Sequence, residues 1–315
     1  MEASSFDDVV GHDQIKRVLL MNAERPAPGY LFVGPEGVGK HRVAERFARL
    51  LLNMENDAPL SAHPDAMVVE RQTEARDIGV EQIRELVQRM RLSAARGGRK
   101  VALVVEADRL NEEACNALLK AVEEATDATT YIFIAERAER LPDTLRSRLV
   151  PVSFFPLRPL EIQTWLQQQG AGETEASACA QASQGCPGRA LSLWREADVR
   201  RERERRIERW QDFFTQNLGQ RCQSLEQMQQ RAESTEDPAA SWREELRAGM
   251  DMCRLQSKSS PREAVRVGLG LAQAWQMIGS SISPRFVIEW NLTRYALDET
   301  AIPSVYARPY LKHIY

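Results

Sequence analysis

An α/β P-loop domain on a five-stranded, mostly parallel sheet, followed by a small helical unit and a larger all-α unit, is the fold that this 315-residue sequence predicts. Three observations carry it. A glycine-rich phosphate loop lies between a strand-like run and a helical run. Short β-branched runs alternate with helical patterns from Tyr30 to Phe155, as in a parallel sheet covered by helices on both faces. At Pro156, Arg158 and Pro159 the strand signal stops, and everything beyond reads helical.

The loop is Gly34-Pro35-Glu36-Gly37-Val38-Gly39-Lys40-His41, set between Tyr30–Val33 and a helical run from Val43 to Leu52. In such a loop Gly34, Gly37 and Gly39 let backbone N–H groups turn toward a phosphate, and Lys40 neutralises its charge. The next side chain should be a Ser or Thr hydroxyl on magnesium, yet here it is His41. Magnesium takes hard oxygen ligands, so an imidazole is a poor substitute. The loop reads as built to hold a phosphate and poorly built to use it.

Further strands are predicted at Met67–Glu70, Val101–Val105, Tyr131–Ile134 and Val150–Phe154, with helices over Val80–Leu92 and Asn111–Glu124. The small helical unit runs from Leu160 to about Trp194, with turns at Gly170–Gly172 and Gly185–Gly188. Beyond Arg195, apolar-periodic helices are separated by Gly219, Asp237-Pro238, Ser259-Ser260-Pro261 and Ser283-Pro284. Domain limits are therefore expected at 1–157, 158–195 and 196–315. Arg200 to Arg209 alternates Arg with Glu and reads as a solvated, ion-paired helix face, because the glutamates cancel the field that a DNA-binding stripe would need.

Composition bounds the function. With 43% hydrophobic and 28% charged residues and a formal net charge of -3, any nucleic-acid contact must come from a local basic patch. The cluster that could serve is Arg84, Arg89, Arg91, Arg96, Arg99 and Lys100, but a solvated helix followed by a Gly97-Gly98 turn is the favoured reading of it. No basic-apolar leader precedes Phe6 and no apolar run approaches the ~20 residues of a membrane span, so a cytoplasmic protein is expected. Cys115, Cys179, Cys186, Cys222 and Cys253 form no CxxC pair; free thiols are expected, with neither a disulfide framework nor zinc.

The run Val101-Ala102-Leu103-Val104-Val105-Glu106-Ala107-Asp108 ends a strand in acids, where P-loop ATPases place a magnesium-binding Asp and a water-activating Glu. With Glu106 at the glutamate position, Val105 occupies the aspartate position. Downstream lie Asn116-Ala117-Leu118-Leu119-Lys120-Ala121-Val122-Glu123-Glu124, Leu141-Pro142 and Leu145-Arg146-Ser147-Arg148.

These segments, with the Val10-Gly11-His12 box, resemble the bacterial clamp-loader AAA+ family over roughly residues 6 to 194. The resemblance implies an AAA+ ATPase-like domain, a small helical lid and an all-α collar, through which five subunits form an open ring. It implies as partners the gamma/tau motor subunits and a delta subunit, and through the complex the sliding clamp and primed DNA; no polymerase site is implied. It assigns Arg148 as an arginine finger acting on a neighbour's ATP, with Leu149 standing where the family has cysteine; the alternative is an arginine that merely caps a strand or pairs with a nearby carboxylate. Arg189 falls where the family places a nucleotide-sensing arginine, a phosphate contact and a structural ion pair both being open to it, and Glu136 replaces the small polar residue that senses the γ-phosphate. The segment before His63 lacks the four-cysteine zinc module found in many relatives.

His41, Val105 and Glu136 each act against hydrolysis. A phosphate oxygen about 5 Å from Glu136 would be repelled by roughly 3 kcal/mol at an effective dielectric near 20. The expected function is a largely non-hydrolysing scaffold that supplies a finger in trans, with ATP, ADP or phosphate bound weakly without turnover. The rivals are an active motor-type subunit or other AAA+ remodeller, and a solitary nucleotide-binding regulator.

Overall fold

The computed structural model describes residues 6–54, 58–71, 77–95, 98–257, 259–278 and 282–297. The chain divides into two compact units after Arg195.

The first unit begins with α1 (Asp13–Asn22), an element with no strong periodic signal, and continues through β1 (Gly29–Val33), α2 (Lys40–Leu51), β2 (Ala66–Val69), α3 (Val80–Arg91), β3 (Lys100–Val104), α4 (Glu112–Glu123), β4 (Thr129–Ala135), the one-turn α5 (Asp143–Arg146) and β5 (Val150–Ser153). The five strands are parallel, in the order β2-β3-β4-β1-β5. Alternation along buried strands builds two cores: Val101 and Leu103 of β3 pack with Tyr30, Phe32 and Phe47 on one face, while Ala102 and Val104 pack with Leu86, Leu118 and Phe133 on the other. Loops after β1, β3 and β4 therefore meet at the C-terminal edge of the sheet, where open α/β sheets bind ligands.

Three helices complete the unit: α6 (Pro159–Gln168), α7 (Glu173–Ala182) and α8 (Pro187–Arg195), packed around Ile162, Leu166, Ala176, Ala190 and Leu193. Their turns hold Gly170 at φ 100° and Gly185 at φ 82°. At Gly185 a Cβ would meet the Leu157 carbonyl oxygen at 2.7 Å, so no larger residue fits the approach.

The second unit is all helical: α9 (Ala197–Thr215), α10 (Leu218–Glu233), α11 (Pro238–Gln256), α12 (Pro261–Met277) and α13 (Pro284–Leu297). Trp210 and Phe213 sit at its core, fully buried, and the Trp210 indole N–H donates to the Glu245 carbonyl at 3.0 Å. Two expectations are corrected here. The α9–α10 break lies before Asn217, not at Gly219, because Asn217 and Gln220 cap the helix reciprocally and leave Gly219 inside its first turn. The Arg200–Arg209 run is not simply solvated: Arg206 and Arg209 pair with the buried Glu245 of α11 at 3.3 and 2.9 Å, and Arg203 with Asp251 at 3.4 Å. The Tyr306–Tyr315 tail lies outside the described residues.

Candidate functional site

The phosphate loop closes β1 onto α2 with the geometry that its glycines predict. Gly37 and Gly39 stand at φ 74° and 112°, and a Cβ at Gly34 would meet the Phe154 carbonyl oxygen at 2.5 Å. Lys40 heads α2 but is only 8% exposed, and its Nζ donates to the carbonyls of Gly34 (2.6 Å) and Pro35 (2.7 Å). Burial pulls its pKa below the usual lysine range, against the opposing pull of Glu136, Asp108 and Glu36. The loop's charge is thus turned onto its own backbone.

Two neighbours brace that loop. His12, at φ 57°, donates from Nε2 to the Val38 carbonyl at 2.9 Å and packs edge-on against Phe154. A carbonyl only accepts, so Nε2 carries the hydrogen; burial lowers the imidazole pKa and favours its neutral form. From the other side the Gly188 N–H of α8 donates to the Gly37 carbonyl at 2.9 Å. Arg189 follows in the same helical turn, its backbone nitrogen 3.4 Å from where a Gly37 Cβ would stand, so the lid brings this residue to the loop.

The remaining positions do not fit magnesium-assisted hydrolysis. His41 is exposed on the first turn of α2, and Val105 is a partly buried member of the apolar core beneath the loop. Neither offers an oxygen ligand. Glu106, at φ 53°, is ion-paired with Arg71 at 3.0 Å. Asp108 accepts from the Glu136 backbone N–H at 3.3 Å, which ties the turn after β3 to the end of β4. The structure therefore brings Gly34, Gly37, Gly39, Lys40, Arg189, Glu106 and Glu136 to one edge of the sheet, with no oxygen offered at positions 41 and 105.

Arg148 lies apart from this cleft, just past α5. Leu145 and Leu149 on either side are buried, and the Leu149 side chain fills the space above Gly29, where a Cβ would meet its Cδ2 at 2.4 Å. Leucine at the cysteine position thus pins the backbone. The Arg148 guanidinium stays 41% exposed: Nη1 donates to the Thr144 carbonyl (2.8 Å) and Ser147 Oγ (3.2 Å), and Nη2 pairs with Glu123 Oε1 at 2.6 Å. Sequence reasoning missed Glu123, Arg71 and His12 as functional neighbours. His12 lay in the Val10-Gly11-His12 box and Glu123 in the Asn116–Glu124 segment, but neither was given a role, and Arg71 carried no signal.

Most of the basic patch is engaged within the chain. Arg84 pairs with Glu81, Arg91 with Glu124, Arg99 donates to the carbonyls of Glu24 and Asp127, and Lys100 caps the end of α3 through the carbonyls of Arg89 and Leu92. Arg96 lies outside the described residues. Among the described residues no group of three or more His, Cys, Asp or Glu side chains could hold a metal, and no helix is long and apolar enough to cross a membrane.

Fold and site together define an α/β P-loop domain followed by a small helical unit. A variant of RuvB from Thermotoga maritima shares that fold at a TM-score of 0.51 and 18% identity, with 93% of this chain and 90% of that one covered. Residues 13–158 match the family described as DNA polymerase III, delta subunit. DNA polymerase III subunit delta′ of Pseudomonas aeruginosa is 36% identical over 137 residues, which is 39% of this chain and 42% of that protein. DNA polymerase III subunit gamma/tau of Mycoplasma pneumoniae is 27% identical over 182 residues, 54% of this chain and 27% of that protein. Over residues 13–158, a little under half of its length, this chain is thus similar to the delta-subunit family of DNA polymerase III and to the delta′ subunit of Pseudomonas aeruginosa. The match spans less than half the length of either relative.

Proposed function

We propose that this chain is the delta′-type subunit of a bacterial clamp loader: a largely non-hydrolysing scaffold in DNA replication that supplies Arg148 to a neighbouring motor subunit while the sliding clamp is loaded on primed DNA. Its partners in this reading are gamma/tau motor subunits and a delta subunit, and its place is the cytoplasm. The carrying observation is that neither position from which a P-loop ATPase would hold magnesium offers oxygen, since His41 faces solvent and Val105 belongs to the core. An arginine that meets phosphate in a neighbour's site needs no metal of its own, and Arg148 is exposed on the domain surface. No zinc is required in this reading, and any nucleotide bound at Gly34–Lys40 is held weakly and not turned over.

Steady-state hydrolysis by the isolated chain tests this directly. Turnover at the background of the assay, equal in wild type and Lys40→Ala, is expected, together with copurification of the chain with motor and delta subunits. A motor-like rate abolished by Lys40→Ala would make the chain an active ATPase, and would return the reading to its rival.

A further inference from the structure

The last turn of α4 ends in two carboxylates, Glu123 and its C-cap neighbour Glu124. A helix C-terminus carries the negative end of the macrodipole, so acids are disfavoured there. Each is met by an arginine from another element, Glu124 by Arg91 at 2.9 Å and Glu123 by Arg148 at 2.6 Å. The Glu123–Arg148 pair is about two-fifths exposed on both sides, and a screened surface pair contributes little to stability. Set against the unfavourable dipole, the pair explains little of the fold. What it does is fix a guanidinium.

We infer that Glu123 is a positioning residue for Arg148, holding the guanidinium in place before a neighbouring subunit presents its phosphate; this rests on the finger reading above. The anchoring comes from two directions. Thr144 and Ser147 hold Nη1 from the side of α5, Glu123 holds Nη2 from the end of α4, and buried Leu145 and Leu149 fix the backbone between them. Among the described residues the Nε–H has no acceptor, and the side chain stays 41% exposed, so the group keeps a donor for an incoming anion. Asp143, the other nearby carboxylate, is occupied by Arg146. An arginine has many rotamers to lose, and ordering it in advance removes that entropic cost from the encounter with the phosphoryl group. A carboxylate on a single Nη orients the group and leaves the Nε–H as a donor.

The test uses the reconstituted clamp-loader complex with wild type, Glu123→Gln, Arg148→Ala and the double variant, reading kcat and KM for ATP in the presence of clamp and primed DNA. Glu123→Gln removes a charge that the helix end disfavours, so folding and assembly are expected to be intact by thermal melt and size exclusion. It should lower kcat about three- to tenfold with KM for ATP within about twofold, and should have no further effect once Arg148 is alanine. Unchanged or increased kcat, or an equal loss in both backgrounds, overturns the positioning role. If Arg148→Ala alone leaves turnover unchanged, the finger reading falls and this inference falls with it. If Arg148→Ala lowers turnover and Glu123→Gln does not, only the positioning role is lost.

Discussion

The cleft and the α5–β5 corner of the first unit carry comparable charge and dispose of it in opposite ways. In the cleft Lys40 is buried and bonded to two carbonyls of its own loop, while Glu106 is paired with Arg71. At the corner Arg148 is anchored by one carboxylate and two oxygens yet stays 41% exposed. The difference teaches that a phosphate-loop lysine can be spent on the loop's own backbone while an arginine elsewhere in the same unit keeps its exposure. Substitutions in the cleft should therefore register as stability, and substitutions at the corner as turnover.

The largest effect should come from Arg148. Alanine there is expected to lower ATP turnover by the assembled complex by roughly 10³-fold at the site it faces, the lower range for an arginine finger. Stability of the isolated chain should change by less than about 1 kcal/mol, because only an exposed pair is lost. Lysine should rescue poorly, since a point charge lacks the planar fork that contacts two oxygens. Turnover measured beside a denaturant melt separates the two effects, and a large loss of stability with unchanged turnover would reverse the comparison.

Gly34 sharpens it from the other side. Gly34→Ala would place a Cβ 2.5 Å from the Phe154 carbonyl oxygen, a backbone atom that cannot swing away. A loss of about 2–3 kcal/mol is expected by thermal or denaturant unfolding, with complex turnover near wild type wherever the subunit remains folded. An unaltered melt would show that the loop is freer than its packing implies.

The smallest effect concerns pH. Burial, the largest influence, lowers the His12 pKa from 6.5, with Lys16 acting the same way and the Val38 carbonyl, Glu161 and Asp13 opposing. The unfolded chain therefore takes up a proton that the folded chain resists. Stability from this residue is full above the ordinary imidazole value, and falls as pH drops through it toward the lower folded pKa. Melts of wild type and His12→Gln between pH 7.5 and 5 should converge at the acid end, as wild type loses its advantage. Parallel curves would mean that the imidazole is not titrating differently in the folded state.

Much of the first unit was legible because its signals are local. The strands fall within a residue or two of the β-branched runs, and the lid turns at Gly170 and Gly185 follow from residues that alone adopt positive φ cheaply. The strand order was not legible, nor was α1, whose few apolar positions give a weak period. Gly219 misled because glycine punctuates helices in general, whereas here the Asn217 cap decides the boundary. Arg206 and Arg209 misled because their partner Glu245 is on another helix. The same limit applied to the site. The loop could be read from its own residues, but the turning of Lys40 onto its own carbonyls and the hold of Glu123 on Arg148 depend on folded geometry that no spacing encodes.

β5 has a further consequence. It lies at the edge of the sheet, with Val150, Pro151 and Ser153 exposed. The Phe154 N–H points inward to Val33 at 2.7 Å, so by alternation residues 150 and 152 also face β1, while 151 and 153 face outward. At 151 there is no N–H to offer. An open strand edge is a template on which a second chain can add, and a proline at an outward position spoils that template without disturbing the inner ladder. Pro151 in this way protects the sheet against edge-to-edge aggregation without weakening its pairing with β1.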